Sequence, residues 1–265
     1  EGTLGFVTEA TLTLTKKPEE LRVMLLGVQD LTAVLNIYQE FRSQLPLTAY
    51  EMFTDRALSC VLHQGTLKNP LETPCPFYVL LEFENGSEKT LDLSMQLFEQ
   101  AMEKEWVVDG TLSQNAQQAK EIWRLREDIS EATAPYQPYK NDISVRISDV
   151  TSFLEELHQL LGQKYPNFEV VWFGHIGDGN LHINILKPSE LSSEEFLNKC
   201  HEVDEVLFKM IARYKGSISA EHGVGLTKKP YLAFTRSLEE IQIMREIKKV
   251  FDPDGIINPG KIFDP

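Results

Sequence analysis

Long apolar runs are missing from this chain of 265 residues. Nothing in it approaches the roughly 20 consecutive apolar residues that cross a bilayer as a helix, so no membrane span is expected. Positive charge is also scarce: 26 Lys and Arg stand against 40 Asp and Glu, a formal net charge of −14. Such a surface repels a polyanion, which argues against non-specific nucleic-acid binding. Cysteine is limited to Cys60, Cys75 and Cys200. They are far apart and form no C-x-x-C pair, so they read as the reduced thiols of an intracellular protein rather than a disulfide framework. No G-x-G-x-x-G follows a strand and no P-loop occurs, so a self-contained nucleotide fold is not indicated. The first residue is Glu1, and no signal peptide follows it. Glu1-Gly2-Thr3-Leu4-Gly5 reads as a glycine turn entering a strand at 6–15, where Leu12 and Leu14 alternate with Thr11, Thr13 and Thr15. A chain that opens inside a turn points to a piece of something longer.

The stretch that is richest in chemistry is Val170–Leu186, V-V-W-F-G-H-I-G-D-G-N-L-H-I-N-I-L. Two apolar runs flank Gly177-Asp178-Gly179-Asn180, residues that tolerate the positive φ of tight connections, and together they predict a hairpin. If those four residues form the loop and Ile176 pairs with Leu181, His175 lies directly across from His182. Cross-strand Cβ atoms are roughly 5 Å apart, close enough for both imidazoles to reach one metal ion. Strand alternation puts Asn184 on the same face.

The rest of the chain is mostly strand–helix alternation. Strands are expected at 21–27, 48–53, 77–84, 106–109, 140–146 and 217–220. Helices are expected at 30–43, 54–64, 88–103, 114–131 and 150–164. Ser192-x-x-Glu195 and Ser237-x-x-Glu240 are capping boxes for two more, running to about Tyr214 and Val250. The pattern predicts an α+β fold: a mostly antiparallel sheet covered by helices, ferredoxin-like, with spacing that fits a duplicated βαββαβ unit. The tail Phe251–Lys261 is turn chemistry that something else must hold.

Glu221 and His222 follow the short strand at 217–220 and precede Gly223 and Gly225. His175, His182 and Glu221 would make a two-histidine, one-carboxylate metal site. That donor set suits zinc, manganese or iron and leaves positions open for a substrate. The competing reading is a plain cross-strand polar pair with a solvated acid nearby. His222 is better placed as a general base than as a fourth ligand, since neighbouring residues diverge in direction and imidazole titrates near neutrality. Its competing reading is a buried, hydrogen-bonded histidine. Arg126 has Ser130 four residues on, on the same helix face, and an arginine fork beside a hydroxyl matches a carboxylate. Lys140 opens the next strand. Arginines on helices are more often solvated, and spacing alone does not raise this trio above that. His63, His158, His201 and the cysteines form no constellation.

These residues fall in blocks: E-G-T-L-G at 1–5, L-R-E-D-I-S-E-A at 125–132, Y-K-N-D-I-S-V at 139–145, G-H-I-G-D-G-N-L-H-I-N at 174–184, S-A-E-H-G-V-G at 219–225 and F-D-P-D-G-I-I-N-P-G-K at 251–261. With them the chain resembles the C-terminal half of the FAD-linked D-2-hydroxy-acid dehydrogenases, of the vanillyl-alcohol-oxidase flavoprotein family. The L-R-E and K-x-D-[IV]-S blocks are similar to those of the branch that oxidises D-2-hydroxyglutarate. Ser130 stands where that branch commonly has Thr, and Arg146 where it commonly has Pro.

The resemblance implies metal ligands at His175, His182 and Glu221, usually for zinc, a catalytic base at His222 and a substrate contact at Asn184. It implies that Arg126, Ser130 and Lys140 hold the distal carboxylate. Glu1, Gly2, Asn258 and Lys261 match positions on the flavin side. It further implies an FAD-linked oxidase C-terminal domain with three parts. Residues 1–17 would be the last strand of an FAD-binding domain otherwise missing here. Residues 18–240 would be the substrate (cap) domain, and 241–265 a helix and tail returning to the flavin. The expected partners are that FAD domain, a small hydroxy acid, an electron-transfer flavoprotein or quinone-linked acceptor, and a second copy in a homodimer. The expected compartment is the cytoplasm in a bacterium or the mitochondrial matrix in a eukaryote. The alternatives are a dehydrogenase for D-lactate or another monocarboxylic hydroxy acid, a metal-binding domain inactive without its flavin partner, and, more distantly, a metal-dependent hydrolase.

Overall fold

The computed structural model describes residues 1–264. Seven strands form one sheet in the order β4-β1-β3-β2-β6-β7-β5, every neighbouring pair antiparallel. They are β1 (Leu21–Val28), β2 (Leu47–Thr54), β3 (Phe77–Glu84), β4 (Asp109–Leu112), β5 (Tyr139–Ser144), β6 (Val170–Gly174) and β7 (Asn180–Ile185). The helices are α1 (Leu31–Gln44), α2 (Asp55–His63), α3 (Glu88–Glu103), α4 (Ala116–Glu127), α5 (Ile129–Thr133), α6 (Val150–Lys164), α7 (Ser193–Arg213) and α8 (Leu238–Phe251). Both expected capping boxes form, at Ser192 with Glu195 and at Ser237 with Glu240.

The duplication is visible in the strand order. The first four strands run 4-1-3-2 across the sheet, the ferredoxin-like order. Read from the opposite edge, β5, β7 and β6 repeat the 1-3-2 part. The bridge from Ser144 to Ser217 stands where a fourth strand would begin. The two units meet at the β2–β6 seam, where Met52 lies opposite Gly174 and Phe53 opposite Phe173.

Side-chain alternation sorts the sheet into two faces. One carries Met24, Leu26, Met52, Val79, Leu81, Ile143, Trp172 and Ile183 and is covered by α1, α3, α6 and α7. The other carries Val23, Leu25, Phe53, Tyr78, Leu80, Val171 and Phe173. There α2, α4 and α5 cover the first unit through Leu58, Leu125 and Ile129. They do not extend over β7 and β5, and the polar residues of those strands occupy that open half.

Several sequence expectations shift. Residues 4–17 are exposed throughout and pair with no described strand. Their Leu/Thr alternation fits a half-buried strand, but no described strand lies beside it. Pairing of the fourth strand starts at Asp109, not Trp106, because the Trp106 and Val107 amides donate to Ala101 O at the end of α3. The helix expected over 114–131 breaks at Asp128, whose ψ of −4° separates α4 from α5. Residues 217–220 contribute a single bridge rather than a strand.

Candidate metal and carboxylate site

The His hairpin forms with a different register from the expected one. His182 lies opposite Phe173, not His175, and Asn184 lies opposite Val171. His175 has left the strand, and residues 176–178 make a turn of 3-10 helix closed by Gly179 at φ +73°. The slip is two residues, an even number, so the face is preserved. The two imidazole centroids are therefore still only 5.6 Å apart.

One row of side chains crosses four strands on the open face: Phe53, Phe173, His182 and Asp142. Beside it, Lys140 lies opposite Asn184 and Ser144 opposite Asn180. Asp142 is buried, and its Oδ2 accepts from the backbone amides of Glu221 (2.7 Å) and His222 (2.8 Å). That pair of bonds fixes the loop after Ala220 over the end of the sheet. The ligating atoms of His175, His182 and Glu221 all lie within 4.8 Å of one another. Nε2 of His175 is 3.5 Å from the Glu221 carboxylate. Asp142, His182 and His222 form an overlapping set. Asp142 Oδ2, however, already accepts two amides, and its Oδ1, buried without a hydrogen-bond partner, lies 3.5 Å from His182 Nδ1. The carboxylate favours the proton on Nδ1 and leaves Nε2 for a ligand, so the first set is the better metal site. The His222 ring is exposed, stacked 5.8 Å from His182, with Nδ1 3.7 Å from Asp142.

Burial pushes the His182 imidazole down to about 4, against the pull of Asp142. It is therefore neutral at ordinary pH, the form that can bind a metal. His175 moves the other way, raised by its hydrogen bond to Glu51 against the opposing effect of burial. Glu51, on β2, is buried; one oxygen lies 2.7 Å from His175 Nδ1 and the other accepts from Arg126 Nε at 3.0 Å. Arg126, at the end of α4, is buried with its guanidinium 4.7 Å over the Phe173 ring, and its Nη2 has no partner. Burial lowers the Arg126 pKa and Glu51 opposes that, but guanidinium remains charged at any accessible pH. A buried donor without an acceptor costs about 1–3 kcal/mol, so the site is poised for an anion.

Asn184 Nδ2 and both polar side-chain atoms of Asn180 are likewise buried without partners. Ser130 is exposed on α5 across the Asp128 break, so it does not share a continuous helix face with Arg126. Lys140 is exposed at the edge of the row.

The residues expected on the flavin side gather at the other end of the Glu221–Gly225 loop. The Glu1 carboxylate accepts from the amides of Val224 and Gly225, and Asn258 donates to the Glu1 carbonyl. Gly2 (φ +70°) packs so closely on Asn258 that a Cβ would meet its amide at 2.6 Å. The Lys261 amide donates to Asn258 O.

Two residues of the site are absent from the sequence reading: Glu51 and Asp142. Both carry a signal. Glu51 is a carboxylate inside the apolar run Tyr50-Glu-Met-Phe53, and Asp142 adjoins Ile143 in a strand position; an acid buried in a strand must find a partner. Hollows of about 770 and 740 Å3 lie elsewhere and include none of the site histidines, while a smaller one of about 370 Å3 is lined by Glu51 and His175.

The family pattern described as FAD linked oxidases, C-terminal domain, matches residues 17–262. The chain belongs to that family. It is 51% identical over 263 residues to a D-2-hydroxyglutarate dehydrogenase of Stutzerimonas stutzeri, covering 99% of this chain and 57% of that protein. To the mitochondrial D-2-hydroxyglutarate dehydrogenase of Danio rerio it is 35% identical over 266 residues, covering 98% and 48%. The chain thus spans about half the length of the curated relatives it matches. Among solved structures it resembles p-cresol methylhydroxylase with substrate bound (TM-score 0.64, 12% identity, 94% of this chain and 54% of that one). It also resembles 4-ethylphenol oxidase from Gulosibacter chungangensis (TM-score 0.65, 13% identity, 96% and 56%). At that identity the likeness is one of fold.

Proposed function

We propose that this chain is the substrate- and metal-binding part of a flavin-dependent dehydrogenase that oxidises a D-2-hydroxy acid, with D-2-hydroxyglutarate as the substrate and 2-oxoglutarate as the product. The observation that carries the reading is the meeting of two sites on one sheet face. Three donor atoms suited to a divalent metal, preferably zinc, stand next to a buried arginine with an unpartnered donor. The names of the 51% and 52% identical relatives support the substrate.

His175, His182 and Glu221 would hold the metal, which when bound supplies Lewis acidity that makes a hydroxyl easier to deprotonate. FAD, when bound, supplies the hydride acceptor; Glu1, Gly2, Asn258 and Lys261 would face it. The chain's own residues do the rest. Arg126 and Lys140 neutralise and orient the distal carboxylate, so that binding becomes positioning; Ser130, exposed across the Asp128 break, is left out of that grip. The unpartnered Asn184 amide donates to a substrate oxygen. His222, exposed at the mouth and held by the Asp142 bond to its backbone, takes the hydroxyl proton. The acceptor of the electrons would be an electron-transfer flavoprotein or a quinone-linked carrier. The compartment would be the bacterial cytoplasm or the mitochondrial matrix. No helix among the described residues is long and apolar enough to cross a membrane.

The test is made in a protein that carries this chain together with a flavin-binding part. His182→Ala should abolish metal content and turnover together, and normal turnover without metal would sink the metal role. D-2-hydroxyglutarate should bleach the flavin far faster than D-lactate; the reverse order assigns a monocarboxylic substrate.

A further inference from the structure

We propose that Glu51 is the positioning residue that ties the metal half of this site to its carboxylate-binding half. It sets which nitrogen of His175 faces the metal and which edge of Arg126 faces the substrate. The inference rests on the reading above and deepens it.

Glu51 is 4% exposed, and both its oxygens are occupied: one at His175 Nδ1, 2.7 Å away, the other by Arg126 Nε, 3.0 Å away. The first contact holds the proton on Nδ1 and leaves the Nε2 lone pair on the Glu221 side, where the separation is 3.5 Å. The second contact occupies the Nε edge of the guanidinium, while Phe173, at 4.7 Å, fixes its plane. Nη2 is buried and has no partner in the protein, so the end of the guanidinium away from Nε is left for a ligand. One carboxylate therefore fixes two recognition groups that come from different units of the duplicated sheet. A neutral amide of the same shape cannot do both jobs. It can accept from one donor, but its NH2 end then confronts the other.

The experiment is a zinc titration of the 265-residue chain against a competing chromophoric chelator, with wild type, Glu51→Gln and His182→Ala, each checked for folding by circular dichroism. Loss of an outer hydrogen bond to a metal ligand weakens affinity about 10–100-fold. We expect Glu51→Gln to fall in that range and His182→Ala to lose binding altogether. Wild-type affinity in Glu51→Gln, with binding lost in His182→Ala, overturns this proposal alone. Equal binding by wild type and His182→Ala overturns the metal reading and this proposal with it. Should Glu51→Gln fail to fold, long-range 1H–15N NMR of the metal-free wild type decides, at a pH where the ring is neutral. His175 is expected as the Nδ1–H tautomer, and a dominant Nε2–H form overturns the assignment.

Discussion

Each histidine of the pair faces its own buried carboxylate, Glu51 for His175 and Asp142 for His182, yet the two rings are held in opposite protonation regimes. Desolvation dominates at His182 and the hydrogen bond dominates at His175. The signs follow: lowering pH should protonate His175 first, from above its ordinary range, and His182 last, near 4. Ring C–H resonances followed through a pH titration of the metal-free chain would check the order, and inversion would refute the burial argument. Asp142 makes a second prediction. Hydrogen bonds to a charged acceptor are worth about 1.5–3 kcal/mol each. Asp142→Ala should thus destabilise the fold by at least one such increment in urea and free the Glu221–His222 loop. Amide exchange at Glu221 and His222 should rise well beyond the global change. Neither carboxylate was assigned a role from sequence, because spacing along a strand shows which residues share a face but not which strands become neighbours. Glu51 meets His175 only because β2 pairs with β6, 120 residues away in sequence.

Elements whose hydrogen bonds are local were the most legible. The N-caps of α7 and α8 and the span of β3 could be read directly, because capping boxes and apolar alternation act within a few residues. The hairpin was legible in kind but not in register. The G-D-G-N signal was genuine, but the chain uses His175–Gly179 as the connection, and side-chain parity alone kept the two histidines together. Gly179 holds that connection. Its φ is +73°, and a Cβ there would lie 2.1 Å from Val145 O, a backbone atom. Gly179→Ala should therefore cost about 1–3 kcal/mol and separate His175 from His182. A melting curve together with zinc affinity would read both effects; an unchanged affinity would mean that the connection does not set the site. The strand expected at 6–15 shows the converse failure: alternation describes a strand's needs but does not supply its neighbour.

The whole molecule divides its cysteines between the two cores: Cys60 and Cys75 on the side of α2, Cys200 on the buried face of α7. Burial pushes the Cys200 thiol up to about 12 and raises the other two. Thiolate is the reactive form. All three should resist a thiol reagent at pH 8 in the native chain and react together on global unfolding. Rapid labelling of one in the native state would show that its core opens by itself. The duplicated ferredoxin-like order was legible as spacing alone. The mirrored arrangement of the two units was not, since it depends on which edges meet.

The narrow β2–β6 seam gives this arrangement a mechanical meaning. Glu51 and Arg126 belong to one unit and His175, His182 and Glu221 to the other, so a ligand held by both sets acts as a rivet through a lap joint. The sheet itself joins the two plates through only two ladder pairs, Met52 with Gly174 and Phe53 with Phe173, so whatever fills the site adds a fastening to a short seam.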